Sequence, residues 1–153
     1  MKVSRNDVIE RMVAVLNGDI QREIRMADSC IREAGYLQRE YHPVVQRQMA
    51  LCAAAALANA TALAAEVLAL GGVPLDPGGP LKAGGPNPPP ARSNPVRARA
   101  MLKHYRSRLR MAERLGLLRL REVFQQIVTT KEWHLAHSGL VQAGDPAGRY
   151  LYS

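Results

Sequence analysis

Two histidines near the end of the chain have the spacing of a metal-ligand pair. His134 and His137 are three residues apart, which places both on one face of a helix. Imidazoles at this spacing can hold one transition metal ion. Glu132, the nearest carboxylate, falls on a different face. The pair therefore predicts, at most, a metal site with few ligands.

Other reactive residues lack the neighbours that catalysis needs. The segment GGVPLDPGG has the glycines of a phosphate loop but neither its Lys-Ser/Thr element nor a preceding strand. No serine or cysteine nucleophile is arranged with a base. Cys30 and Cys52 fall within helical patterns and lack CxxC spacing. We predict that they are buried free thiols rather than a disulfide or a zinc site.

Helical patterns cover most of the chain, and we predict an all-α fold with one domain, 1–153. Apolar residues make up 47% of the chain and aromatic residues only 5%, a balance that favours helix over sheet. Ser4 and Asp7 resemble a capping box at the first helix start. The second helix is apolar nearly all round and is expected to lie deep between its neighbours. The helices are predicted at about 5–34, 43–70, 95–115 and 117–139.

Each helix carries a stripe of inward residues at steps of three and four. The stripe of the first helix ends at Ile31. Asp19 lies off the centre of that stripe and Glu23 lies closer to it, so the inward acid could be either one. The stripe of the fourth helix starts apolar and becomes polar at Lys131 and His134. That change is the most informative local feature of the sequence.

The connection between the second and third helices, 71–94, is rich in glycine and proline. It has too few apolar side chains to form its own core. A connection of this length permits a crossover along the bundle, as in four-helix bundles with one long connection. The alternative is a disordered or partner-binding proline-rich linker. We favour the crossover, and the linker remains open.

Positive charge is concentrated on the third helix of a chain whose net charge is +8. Basic residues cover its faces away from the apolar stripe: Arg97, Arg99, Lys103, Arg106, Arg108, Arg110 and Arg114. Such a face can be solvated, can contact another subunit, or can bind a polyanion such as nucleic acid. We favour the subunit contact, because arginine pairs well with carboxylates in bidentate geometry.

No targeting segment or membrane span stands out in the sequence. The start of the chain lacks the charged, apolar and small-residue regions of a signal peptide. The longest apolar stretch, 49–58, is too short to cross a bilayer. We therefore expect a cytoplasmic protein that makes no membrane contact.

Four segments, in this order, resemble bacterioferritin. MKVSRNDVIERMVAVLNGDI is similar to the first helix of that family, and ALANATALAAEVLALGGVP to the end of its second helix. KEWHLAH occupies the place of the Glu-x-x-His on its last long helix, and AGDPAGRYLYS is similar to its short tail. The resemblance implies a ferritin-like bundle with a long crossover between helices 2 and 3 and a short C-terminal tail.

Bacterioferritins oxidise Fe(II) at a di-iron centre that carboxylates and histidines build inside each bundle. The resemblance places the ligand positions on Asp19 or Glu23, Ala56, Asn59, Leu102, Lys131 and His134. Only the acid and His134 keep the residue types of metal ligands. A site with so little negative charge does not suit two metal ions, and the Lys131 ammonium would repel them. The haem-binding methionine falls on Leu57. We expect neither a complete ferroxidase centre nor haem, and iron binding at an altered site stays open.

The Lys131 ammonium could take the place of a metal, paired with Asp19 or Glu23 and hydrogen-bonded by Asn59. The alternative is that Lys131 extends into solvent from a bundle edge. The expected function is a non-catalytic ferritin-like subunit in a homo-oligomer, a dimer or a shell, alone or mixed with a metal-competent ferritin. The alternatives are an active iron-storage ferritin and a basic bundle that binds nucleic acid.

Overall fold

The computed structural model describes residues 2–39, 43–76 and 95–142. Within these ranges the chain forms four α-helices and no strand, which confirms the predicted all-α bundle. The predicted crossover falls mostly on 77–94, and the predicted tail on 143–153, so both lie outside the described residues. The helices are α1 (Arg5–Arg39), α2 (Pro43–Ala69), α3 (Pro95–Leu115) and α4 (Leu118–Gln142).

The start of α1 has the predicted capping box. The backbone N–H of Ser4 donates to Asp7 Oδ2 at 3.1 Å, and the N–H of Asp7 donates to Ser4 Oγ at the same distance. Each side chain thus satisfies a backbone donor that the first helical turn leaves without a partner. The shorter aspartate closes the box as a glutamate would.

The end of α1 differs from its prediction. The helix continues through Gly35 to Arg39, because a single glycine weakens a helix without stopping it. Ile31, placed on the inward stripe, is 55% exposed, and the neighbouring Cys30 is buried instead. An α-helix has 3.6 residues per turn. Over a helix of this length, a stripe drawn in steps of three and four residues therefore moves gradually away from the face that packs on the bundle.

Consecutive helices α2 and α3 run in the same direction. Leu75 N–H, just beyond α2, donates to Asn17 Oδ1 in the first half of α1 at 2.8 Å. Glu66, near the end of α2, pairs with Arg119 at the start of α4. Gly116, with a φ of 67°, makes the tight turn between α3 and α4. The ends of α2 and α3 therefore both lie where α1 and α4 begin.

The core contains residues that the helical spacing places on the inward stripes of α3 and α4: Leu102, Tyr105, Ala112, Leu120, Phe124 and Ile127. They pack with apolar residues of α1 and α2. Leu16, Leu63, Tyr105 and Phe124 are wholly shielded from solvent at its centre. A smaller second cluster joins Ala27 and Cys30 of α1 to Val45, Met49, Ala53 and Ala56 of α2. Burial of these side chains is the main stabilising contribution to the bundle.

Helix α2 is not buried on all sides, so the prediction that it lies deep between its neighbours is wrong for one face. Leu51, Leu57 and Leu68 are 50%, 45% and 63% exposed. By length and composition α2 is apolar enough to cross a membrane. This differs from the expectation that its longest apolar stretch, 49–58, is too short to do so. The core helix of a soluble protein meets the same criterion, and the buried Asn59 and Glu66 lie on the inner face of α2. No other described helix meets it.

Candidate functional site

Two acids on α1 form the centre of the polar interior. Asp19 and Glu23 are four residues apart, on one face of the helix, and both are 0% exposed. The sequence left open which of them faces inward, and the structure places both there. Burial of a carboxylate is costly unless positive charge or hydrogen bonds compensate it, so the partners of each acid decide what the site can do.

Asp19 is held by two residues of α3. Its Oδ1 lies 2.7 Å from His104 Nε2, and its Oδ2 accepts a hydrogen bond from Arg108 Nε at 2.9 Å. The placement of Arg108 on the outward basic face was therefore wrong: its side chain is only 24% exposed and turns toward α1. Two donors and a guanidinium charge compensate the buried carboxylate.

Glu23 is held by Lys131 of α4. Lys131 Nζ donates to Glu23 Oε2 at 3.2 Å and lies 3.0 Å from Oε1. The lysine side chain is only 13% exposed, so it does not extend into solvent. Its ammonium also lies 5.4 Å from the centroid of the Tyr105 ring, within the range of a cation–π contact. The ion pair suggested by the sequence is present, with Glu23 as its acid.

Tyr105 completes this interior with a hydroxyl that has no hydrogen-bond partner. Glu23 lies close enough to act on the hydroxyl electrostatically, although the two complete no hydrogen bond of good geometry. Burial, and next the charge of Glu23, raise the pKa of Tyr105 far above its ordinary value of 10.0. The hydroxyl therefore holds its proton more tightly in the folded protein than in the unfolded chain.

We expect Tyr105→Phe to leave stability at neutral pH unchanged or slightly increased, because the lost hydroxyl makes no hydrogen bond. At alkaline pH we expect a larger difference in stability between the variant and the parent. Above about pH 10 a tyrosine in the unfolded chain loses its proton while the folded one keeps it, so stability falls with rising pH, by up to about 1.4 kcal/mol per unit. Urea unfolding at pH 7 and pH 11 measures this. If the free energy of unfolding of the variant fell with rising pH as steeply as that of the parent, the raised pKa assigned to Tyr105 would be wrong.

The remaining positions that the resemblance implied are buried, but they do not form one polar cluster. Ala56 and Leu102 are 2% and 5% exposed and belong to different apolar clusters. Asn59 is 8% exposed. Among the described residues, Lys131 donates to Glu23 and not to Asn59. The amide support expected for the ammonium is therefore wrong.

His134 and His137 lie on α4 beside Trp133, and both are half-buried. The ring of His137 stacks on Trp133 with 3.7 Å between centroids, and its Nδ1 lies 2.8 Å from the Trp133 carbonyl oxygen. No group of three or more His, Cys, Asp or Glu residues in the described part of the chain could hold a metal ion. Metal binding by the two histidines alone stays a prediction.

The basic face of α3 is smaller than the sequence indicated. Four of its residues are exposed: Arg99, Lys103, Arg110 and Arg114. Arg106 is also exposed but pairs with Glu132 of α4, with 3.0 Å between Nη2 and Oε1. The side chain of Arg97 lies outside the described residues. With Arg108 turned inward, the positive surface consists chiefly of those four side chains.

His104 and Arg108 were not predicted from the sequence to be interior residues. A usable signal was present, since Arg108 follows Tyr105 by three residues and precedes Ala112 by four, the steps that define an inward stripe. Arg108 was nevertheless assigned to the outward basic face, because its charge favours contact with solvent. The sequence also did not indicate that Cys52 is a candidate reactive residue, because its neighbour His134 comes from a distant part of the chain.

Comparison with known proteins adds no family to this description. No family model, no curated protein and no solved structure matches the chain.

Proposed function

We propose that this chain is a non-catalytic, cytoplasmic subunit of a ferritin-like oligomer, in which an internal ion pair takes the place of a di-iron centre. The observation that carries the proposal is the position of Lys131 Nζ, 3.0 Å from the fully buried Glu23 carboxylate. An ammonium at this distance neutralises the charge that would attract a metal ion, and it repels cations directly.

The residues at the implied metal positions do not fit a di-iron centre. Ala56 and Leu102 have no ligand atoms on their side chains. Both oxygens of Asp19 are engaged, by His104 and by Arg108. Iron needs several oxygen or nitrogen ligands that are free to bind it. These residues therefore supply no ferroxidase chemistry.

The direction of the helices supports the ferritin-like part of the proposal. Because α2 and α3 run in the same direction, the end of α2 and the start of α3 lie at opposite ends of the bundle. One long crossover in that position is the connectivity of ferritin-like bundles. A simple up-and-down bundle would instead have antiparallel α2 and α3.

Two surfaces support assembly with other copies of the chain. The exposed leucines of α2, Leu51, Leu57 and Leu68, leave apolar area in water that a contact would remove. The exposed basic residues of α3 can pair with acids of a neighbouring subunit. Two of the seven basic side chains already pair with acids of this chain, which weakens the case for a nucleic-acid site.

Two measurements on the purified protein test the proposal. Light scattering is expected to give a mass of two or more chains. Fe(II) in air is expected to oxidise no faster with the protein than in buffer, because Glu23 and Asp19 are already paired. The rise of Fe(III) absorbance measures the oxidation.

A Glu23→Gln variant is the matched control for iron. If Glu23 were an iron ligand, oxidation by the parent would exceed the buffer rate and the variant would lose the excess. That pattern would refute the non-catalytic assignment. A monomeric mass over the accessible concentration range would refute the assembly role.

A further inference from the structure

The two cysteines of the chain come together between α1 and α2. Cys30 is 7% exposed and belongs to the smaller apolar cluster, and Cys52 packs against the same cluster from α2. Each cysteine shifts the pKa of the other, as expected for neighbours in one cluster. Both are free cysteines. Two free thiols on facing helices of one apolar cluster are a potential disulfide pair, which the sequence did not predict.

One of the thiols is accessible and the other is not. Cys52 is half-buried and lines a shallow surface pocket together with His134, His137 and Trp133. The pocket has room for about one molecule the size of water. A small solute can therefore reach the Cys52 sulfur, whereas Cys30 lies behind it within the apolar cluster.

The groups around the two thiols shift their pKa values in opposite directions. The hydrogen bond from Cys30, and next that from His134, lower the pKa of Cys52 below its ordinary value of 9.0, and Lys131 acts in the same direction. The interaction with Cys52, then burial and the charge of Glu33, raise the pKa of Cys30. Of the two thiols, the accessible Cys52 therefore loses its proton more readily than the buried Cys30.

We propose that Cys52 and Cys30 form a peroxide-reactive dithiol, with Cys52 as the attacking thiolate and Cys30 as the thiol that resolves it into a disulfide. An accessible cysteine with a lowered pKa, which shares a pocket with histidines and a cluster with a second thiol, has the features of redox-sensitive cysteines. The proposal does not rest on the assembly function, although Leu51 of the proposed assembly surface also lines the pocket.

The chemistry needs only hydrogen peroxide as oxidant. The Cys52 sulfur attacks one peroxide oxygen, the O–O bond breaks, and hydroxide leaves and takes a proton from solvent. Cys52 is then a sulfenic acid. The Cys30 sulfur attacks the Cys52 sulfur, the S–O bond breaks, and the hydroxyl leaves as water with the proton of Cys30. Two thiols and one peroxide give one disulfide and two waters.

The test is intact mass spectrometry of the reduced full chain after treatment with a small excess of hydrogen peroxide. We expect the parent to lose the mass of two hydrogen atoms and to regain it with dithiothreitol. In a Cys30→Ser variant the sulfenic acid has no resolving thiol, so Cys52 should be trapped by dimedone. In a Cys52→Ser variant Cys30 should stay unmodified.

Alkylation of the folded parent checks the proposal without any cysteine variant. Iodoacetamide should modify Cys52 before Cys30, with a pH midpoint below 9.0, and His134→Gln should move that midpoint toward 9.0. Preferential alkylation of Cys30, or peroxide treatment of the parent that forms no disulfide, would overturn the proposal.

Discussion

Replacement of Lys131 by methionine is expected to lower the free energy of unfolding by about 3–5 kcal/mol. Methionine keeps most of the length and the apolar stem of lysine but removes the ammonium. Glu23, which is 0% exposed, would then be a buried carboxylate without its ionic partner. Urea unfolding followed by the helical circular dichroism signal measures the loss, with an unchanged slope showing that the two states remain comparable.

The double variant Glu23→Gln with Lys131→Met is the control for this prediction. It removes the charge that the single variant leaves uncompensated, so most of the lost stability should return. The coupling between the two substitutions then measures the ion pair itself. If Lys131→Met alone were neutral, or if the double variant lost as much as the single one, Lys131 would not be the charge partner of Glu23.

The helices of this protein were predictable because helix formation depends on residues that are close together in the sequence. The capping box at Ser4, the turn at Gly116 and the inward stripes of α3 and α4 follow from spacing along one segment. The interior position of Lys131 followed from the same kind of evidence, since it falls on a stripe that is otherwise apolar.

The partners inside the bundle were less predictable because they depend on how the helices rotate against one another. Periodicity places Lys131 on an inward face, but it does not decide between Asp19 and Glu23, which are one turn apart. Arg108 shows the same limit, since its charge favours solvent while its register favours the interior. Its pairing with Asp19 depends on a residue of α1 that α3 alone does not reveal.

The exposed face of α2 has a different cause. Its hydrophobic residues are spread around the helix, so the sequence has no stripe to show which side faces the bundle. Three neighbours cannot cover every side of one helix in a four-helix bundle. An all-round apolar helix in a small bundle therefore predicts an exposed apolar surface as readily as a buried position, and that surface is a basis for the proposed assembly.

Replacement of Asp19 by asparagine is expected to lower the free energy of unfolding by about 2–4 kcal/mol, because hydrogen bonds to a buried charged group contribute more than neutral ones. Asparagine keeps the size of the side chain and removes only the charge. The carboxylate that compensates Arg108, and that lies 2.7 Å from His104, is then absent. Urea unfolding at neutral pH measures the change.

The exposed pair of Arg106 and Glu132 provides the matched control, since it also joins an arginine of α3 to an acid of another helix. Its side chains are 51% and 50% exposed, against 24% and 0% for Arg108 and Asp19. Glu132→Gln should therefore change stability by less than about 1 kcal/mol, because water screens the pair and solvates either partner alone. Equal losses from Asp19→Asn and Glu132→Gln would mean that burial does not strengthen the interior pair. A larger loss from Asp19→Asn would locate the stabilising charge inside the bundle, beside the ion pair of Glu23 and Lys131.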